Sequence, residues 1–240
     1  MGDALPAEPI RPDKADKNPL GRRPGVRGLL HHAYYLAMRQ GCWWSFILGF
    51  SGRAWGHRNV PTRGGVLLVS NHQSYFDPML ATLALPRQCS YMARDTLFVN
   101  PVFRTLIESL NAFPVRRGEA DLRAIKEAMR RLRNGYAVLL FPEGTRSASG
   151  QMGAIQPGVA MLAQRTGVPV VPLAIDGAYD IWPKGTKFPR RGSVLVKYGQ
   201  PFSADQVRSM SAEELVGSCR QRIQNLLDEL RAIRTHRSNH

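Results

Sequence analysis

The chain has 240 residues, with 33 Lys and Arg against 18 Asp and Glu, a formal charge of +15, and an apolar share of 43%. That share excludes wholesale disorder, and the length suits one α/β domain with terminal extensions. The surplus of cations asks for an anionic partner: nucleic acid, an anionic membrane surface, or a phosphate-bearing substrate.

Residues 1–24 read as a disordered tail, broken by Pro6, Pro9, Pro12, Pro19 and Pro24. Their polar, proline-rich character matches no secretory signal. Residues 25–58 change to apolar and aromatic runs, GLLHHAYYLAM and GCWWSFILGF. Each is shorter than the ~20 apolar residues a membrane-spanning helix needs. Tyr34, Tyr35, Trp43 and Trp44, flanked by Arg27, Arg39, Arg53 and Arg58, suit helices lying in a membrane interface. The alternative is that they pack as ordinary core helices.

Residues 59–202 alternate strand and helix, which predicts an α/β fold with a mostly parallel mixed sheet flanked by helices. Strands are expected at 66–70, 90–93, 111–115, 136–141, 168–175 and 193–198. Helices are expected from Pro78 to Leu85, from Pro101 behind an Asn100 cap, from Asp121 to Asn134, and from Pro157 to Thr166. In the Asp121–Asn134 helix, Leu122, Ile125, Met129 and Leu132 share a face. Residues 203–240 read as a C-terminal helix packing on the domain. A Ser211/Glu214 capping box precedes an apolar stripe of Leu215, Cys219, Ile223, Leu226, Leu230 and Ile233. Cys42, Cys89 and Cys219 are far apart and form no Cys-x-x-Cys or His/Cys cluster. That argues against a disulfide framework and against zinc, and suits a reducing cytosol.

In an open α/β sheet, ligands bind at the carboxyl ends of the strands. Two polar loops fall there. The first, NHQSYFDP, puts His72 five residues before Asp77. An imidazole can take a proton from an alcohol through one nitrogen if its other nitrogen is held by an acceptor, and Asp77 can fold back to supply one. Asp77 before Pro78 is equally a good helix cap. The second loop, FPEGTRS, carries Glu143, Gly144, Thr145 and Arg146. Gly144 permits a tight turn, Arg146 offers a planar fork for phosphate oxygens, and Glu143 fixes the loop or the arginine.

NHQSYFDP, FPEGTRS and VPVVPLAI, in this order and spacing, closely resemble the 1-acylglycerol-3-phosphate acyltransferase family, the bacterial PlsC type. The resemblance covers about Gly64 to Gly199. It implies transfer of an acyl group from acyl-CoA or acyl-carrier protein, as co-substrate, to a lysophospholipid hydroxyl. It also implies His72 as general base, Asp77 as its orienting partner, and Glu143, Gly144, Thr145 and Arg146 as part of the acceptor and acyl site. NAFPVRRG matches a further family block, in which Arg117 takes the phosphate-binding place. Three positions depart from the pattern: Asn111 stands where glycine usually opens that block, and Gln156 stands where a lysine is common. Arg116 stands where an acidic residue is common.

The expected partners are therefore an anionic membrane surface, a lysophospholipid acceptor and the acyl donor, with no cofactor, no metal and no nucleic acid. The expected location is the cytoplasmic face of a membrane, held peripherally. The alternatives are another lysolipid as acceptor, or a non-catalytic lipid-binding relative. A hydrolase ordinarily needs a protein nucleophile, and no Gly-x-Ser-x-Gly elbow is present.

Overall fold

The computed structural model describes residues 44–85, 87–116 and 121–238, together with 34, 37, 38, 40 and 41. The expected tail at 1–24 and most of the aromatic segment before Trp44 lie outside the described residues.

Seven strands form one sheet: β1 Arg53–Trp55, β2 Val66–Ser70, β3 Cys89–Arg94, β4 Ala112–Val115, β5 Ala137–Leu140, β6 Val170–Asp176 and β7 Leu195–Tyr198, in the order β1-β7-β6-β2-β5-β3-β4. Strands β2 to β6 are mutually parallel; β7 runs antiparallel to β6, and β1 is parallel to β7. The carboxyl ends of β2, β3, β4, β5 and β6 thus share one edge, as the expected fold class requires.

The helices are α1 Asp77–Leu83, α2 Pro101–Ser109, α3 Leu122–Arg133, α4 Gly158–Thr166, α5 Ala178–Ile181, α6 Ala204–Ser209 and α7 Ala212–Ser238. Strand β2 is buried on both sides and feeds two cores by alternation. Leu67 and Val69 join the core under α3, α4 and α7; Val66 and Leu68 join the one under α1 and α5. Each such side chain contributes ~1.5–3 kcal/mol on burial, which explains an unbroken apolar run in the central strands.

Local chemistry sets the helix ends. Asn100 accepts the N–H of Val102 and Phe103, with Pro101 in the first turn. Gly167 closes α4 in a left-handed conformation at φ 64°. The Ser211/Glu214 reciprocal box opens α7. Asn111 is also left-handed, at φ 67°. That conformation is the reason for glycine at this place, and asparagine tolerates it better than other residues do.

Three expectations are corrected. The segment 25–58 does not stay helical: Ser45–Gly49 is a helical turn, but Arg53–Trp55 is an edge strand paired with Leu195–Lys197. A three-residue strand shows no periodicity, so only tertiary pairing reveals it. Within the turn, Phe46 enters the core while Leu48 is exposed, as is Trp44 just before it. Helix α3 packs through Ala124, Ala128 and Leu132, with Ile125 and Met129 partly buried and Leu122 65% exposed. The small alanines let the helix lie close to the sheet, which rotates its apolar face away from Leu122. The expected single helix over 203–240 is instead two, Ala204–Ser209 and Ala212–Ser238, since Ser203 caps α6 before α7 begins.

Candidate active site

The polar run that ends β2 and follows it is buried rather than looped into water: Ser70, Asn71, His72, Gln73, Ser74 and Asp77 are all at or below 7% exposure. Buried polar groups must find partners, and each of these side chains makes at least one hydrogen bond, while Gln73 Oε1 and Asp77 Oδ1 accept none. Asn71 bridges to β6, donating Nδ2–H to the Ile175 carbonyl (2.8 Å) and accepting the Ile175 N–H (2.9 Å). Gln73 donates to the Gly150 carbonyl, and Ser74 Oγ donates to the Trp182 carbonyl.

Asp77 is the hub. Its Oδ2 lies 2.7 Å from His72 Nδ1 and accepts the backbone N–H of Gln73 (2.5 Å) and Ser74 (2.6 Å). The carboxylate turns back on the preceding turn rather than capping α1, whose start carries no side-chain cap. An oxygen that accepts two N–H groups acts as an ionised acceptor, so His72 presents Nδ1–H to it and keeps its lone pair on Nε2. The His72 ring stacks on Phe141, with centroids 4.1 Å apart. No protein hydroxyl among the described residues bonds Nε2.

The second loop is clamped onto the first. Glu143 Oε1 accepts the His72 N–H (2.8 Å), Glu143 Oε2 accepts the Gly153 N–H (2.9 Å), and the Ser147 N–H donates to the His72 carbonyl (2.7 Å). Burial raises the Glu143 carboxyl above the usual carboxylate range, while the N–H groups of Gly153 and His72 pull it down. Arg146 lies over the Tyr75 ring, 3.5 Å from its centroid, and its Nη1 is buried with no hydrogen-bond partner. A buried, unpartnered guanidinium N–H beside the dyad is a place for an anion's oxygen. Gly144 and Thr145 are exposed at the tip. The Gly144 N–H is used by the Phe141 carbonyl within the turn, so it is not free to serve an oxyanion.

The structure thus brings together His72, Asp77, Glu143 and Arg146. Arg117 lies outside the described residues. Arg116 is exposed and faces Asp95 across 4.0 Å, while Gln156 is exposed and uses its N–H on the Pro142 carbonyl. Sequence reasoning missed Asn71, Gln73, Ser74 and Ser147 as the parts that hold the loops. The available signal was the polar tract itself, SNHQS, emerging from an apolar strand with no glycine to expose it. A polar cavity lies on the Gln73 side, lined by Gly150, Asp176, Tyr179, Arg231 and Arg234. Asp176 is paired there with Arg234 Nε at 2.7 Å, so this cavity ties α7 to the sheet edge and is unsuited to an acyl chain. Among the described residues no group of three or more His, Cys, Asp or Glu is placed to hold a metal. Nor is any helix among them long and apolar enough to cross a membrane.

A buried His–Asp dyad with an open nitrogen is thus joined to a glycine–arginine loop at the carboxyl edge of a mostly parallel sheet, which sets a base beside a cation in an α/β fold. Residues 53–176 match the family described as Acyltransferase. A chloroplastic 1-acyl-sn-glycerol-3-phosphate acyltransferase of Brassica napus is 30% identical over 67% of this chain and 49% of its own length. A 1-acyl-sn-glycerol-3-phosphate acyltransferase of Bacillus subtilis is 29% identical over 77% of this chain and 93% of its own. The crystal structure of the 1-acyl-sn-glycerophosphate acyltransferase PlsC from Thermotoga maritima superposes with a TM-score of 0.75 at 28% identity, covering 86% of this chain and 83% of that one. The chain spans about half the length of the plant relatives. It belongs to the acyltransferase family, among the PlsC-like members.

Proposed function

We propose that the chain is an O-acyltransferase of phospholipid synthesis, moving a fatty acyl group from acyl-CoA or acyl-carrier protein to the free hydroxyl of 1-acyl-glycerol-3-phosphate. The observation that carries this is the His72–Asp77 dyad, whose Nε2 is bonded by no hydroxyl among the described residues. A hydrolase of the Ser–His–Asp kind places its own hydroxyl there; here the acceptor's hydroxyl occupies that position. His72 Nε2 takes the proton as the alcohol oxygen attacks the thioester carbonyl. Asp77 holds the imidazolium, and collapse of the tetrahedral intermediate expels the thiolate, which recovers the proton from His72. General-base assistance contributes ~10²–10⁴ in rate; the rest comes from holding two substrates in line.

Arg146 offers its unpartnered Nη1 to the acceptor phosphate, braced by the Tyr75 face. Arg117, on the family's pattern, supplies a second cation. Glu143 acts as a clamp: its two oxygens set His72 and the 153 turn relative to each other.

The test is incubation of purified protein with labelled acyl-CoA, acyl-carrier protein and a panel of lysolipids, with products identified by mass. Phosphatidate from lysophosphatidate is expected, and its loss in His72→Ala. Release of free fatty acid with no acylated lipid would replace transfer by hydrolysis.

A further inference from the structure

The loop from Trp182 to Ser193, WPKGTKFPRRGS, is left over by this chemistry. It joins α5 to β7, and both of those ends sit at the catalytic edge of the sheet. Lys184, Lys187, Arg190 and Arg191 are all exposed, and none has an ion-pair partner among the described residues. Between them Phe188 is 80% exposed. The loop is nevertheless folded. The Arg190 N–H donates to the Ile181 carbonyl (2.8 Å), Trp182 Nε1–H to the Thr186 carbonyl (3.2 Å), and Thr186 Oγ1–H to the Pro183 carbonyl (3.0 Å). An ordered fold that holds four free cations around an exposed phenyl ring serves no core.

We propose that this loop docks the catalytic edge onto an anionic lipid bilayer, a proposal that rests on the reading of the acceptor as a membrane lipid. The charges complement anionic headgroups, each cation near such a surface being worth a severalfold gain in partition. The phenyl ring inserts at the headgroup level, which a soluble polyanion would not require. The same edge carries further exposed apolar side chains: Tyr75, Val99 after β3, Val102 at the start of α2, and Leu48 ahead of β1. Docking is also transmitted to the chemistry. The Trp182 carbonyl accepts Ser74 Oγ–H (2.9 Å) and the Tyr75 N–H (3.4 Å), and the Trp182 ring packs on Tyr75 and Phe76 at 5.0 and 4.7 Å. Those three residues lie between His72 and Asp77, and Tyr75 carries Arg146.

The experiment is sedimentation of the full chain with vesicles of phosphatidylcholine alone or with about a third phosphatidylglycerol. Three forms are compared: wild type; a loop variant with Lys184, Lys187, Arg190 and Arg191 each changed to Gln; and a control with Arg58, Arg63, Arg133 and Arg165 changed to Gln at the opposite edge. The loop variant is expected to lose on the order of 10²-fold in partition onto anionic vesicles, and the control, with the same change in charge, less than ~5-fold. A further variant outside that comparison, Phe188→Ser, is expected to weaken binding to both vesicle types. Equal losses in loop variant and control would reduce the effect to net charge and overturn the proposal. So would unchanged vesicle binding with a raised KM for the acyl donor, which would make the loop a donor site. Turnover on detergent-dispersed substrates should be the same in all three forms. Absence of transfer in the wild type would sink the acyltransferase reading and leave the vesicle result to stand alone.

Discussion

His72 Nδ1 and Asp77 Oδ2 are 2.7 Å apart, and that oxygen also receives the N–H of Gln73 and Ser74. One atom therefore fixes both the histidine tautomer and the turn that carries it. His72→Ala should lower turnover by ~10²–10⁴ with little change in melting temperature. Asp77→Asn should cost a similar factor through the wrong tautomer. Asp77→Ala should also destabilise the fold by more than ~2 kcal/mol, since it strands buried donors. Steady-state rates and denaturant melts of the three variants separate the two roles.

Arg146→Ala should raise the KM for a phosphorylated acceptor by ~10- to 100-fold, the weight of one charge-assisted contact, with a smaller change in kcat. Arg146→Lys should recover little, because an ammonium lacks the planar fork that lies on Tyr75. Equal KM values for phosphorylated and unphosphorylated acceptors in the wild type would remove the arginine from phosphate recognition.

Glu143 gives a pH signature. Its folded carboxyl is raised above the unfolded value of ~4.3 by burial. The folded state thus binds the proton more tightly than the unfolded state, and ionising the group costs stability as pH rises from that value through the raised one. Glu143→Gln removes this titration. The stability difference, wild type minus variant, should fall as pH rises across that window in urea melts. A difference that grows with pH would mean that the Gly153 and His72 N–H groups outweigh burial.

Gly177 at φ 83° would place a Cβ 2.0 Å from the Ser193 carbonyl oxygen, whereas Gly64 at φ 77° has open space around the same position. Gly64→Ala should cost ~1–2 kcal/mol from backbone strain alone. Gly177→Ala should cost more than ~3 kcal/mol, because a backbone carbonyl must move as well. Parallel thermal melts test the ordering.

Burial pushes the Cys89 and Cys219 thiols up to about 12. Neither should be alkylated in the native protein at about pH 8, and both should react on unfolding, since the thiolate is the nucleophile. Peptide mass mapping after maleimide treatment reads this directly.

The central strands and the order of motifs were legible in the sequence because their signals are local. A continuous apolar run must be buried on both sides, Asn100-Pro101 can only start a helix, and the two polar loops stand where strands end. Arg53–Trp55 was illegible because an edge strand of that length is made by its partner, not by its own pattern. On α3 the expected face holds for Ile125, Met129 and Leu132 but not for Leu122, and Ala124 and Ala128 went unread because small alanines take the closest positions where a helix must approach the sheet.

The sequence by itself determined that a histidine and a carboxylate would leave one strand, and a glycine–arginine turn another. It also set the surplus of positive charge. Only the tertiary structure decided that Glu143 spans the two loops, that Asp77 serves the turn and the imidazole rather than the helix, and that four free cations and a phenyl ring stand at the same edge. Those relations join residues far apart in the chain. They depend on which strands become neighbours, and burial across the whole sheet sets that order.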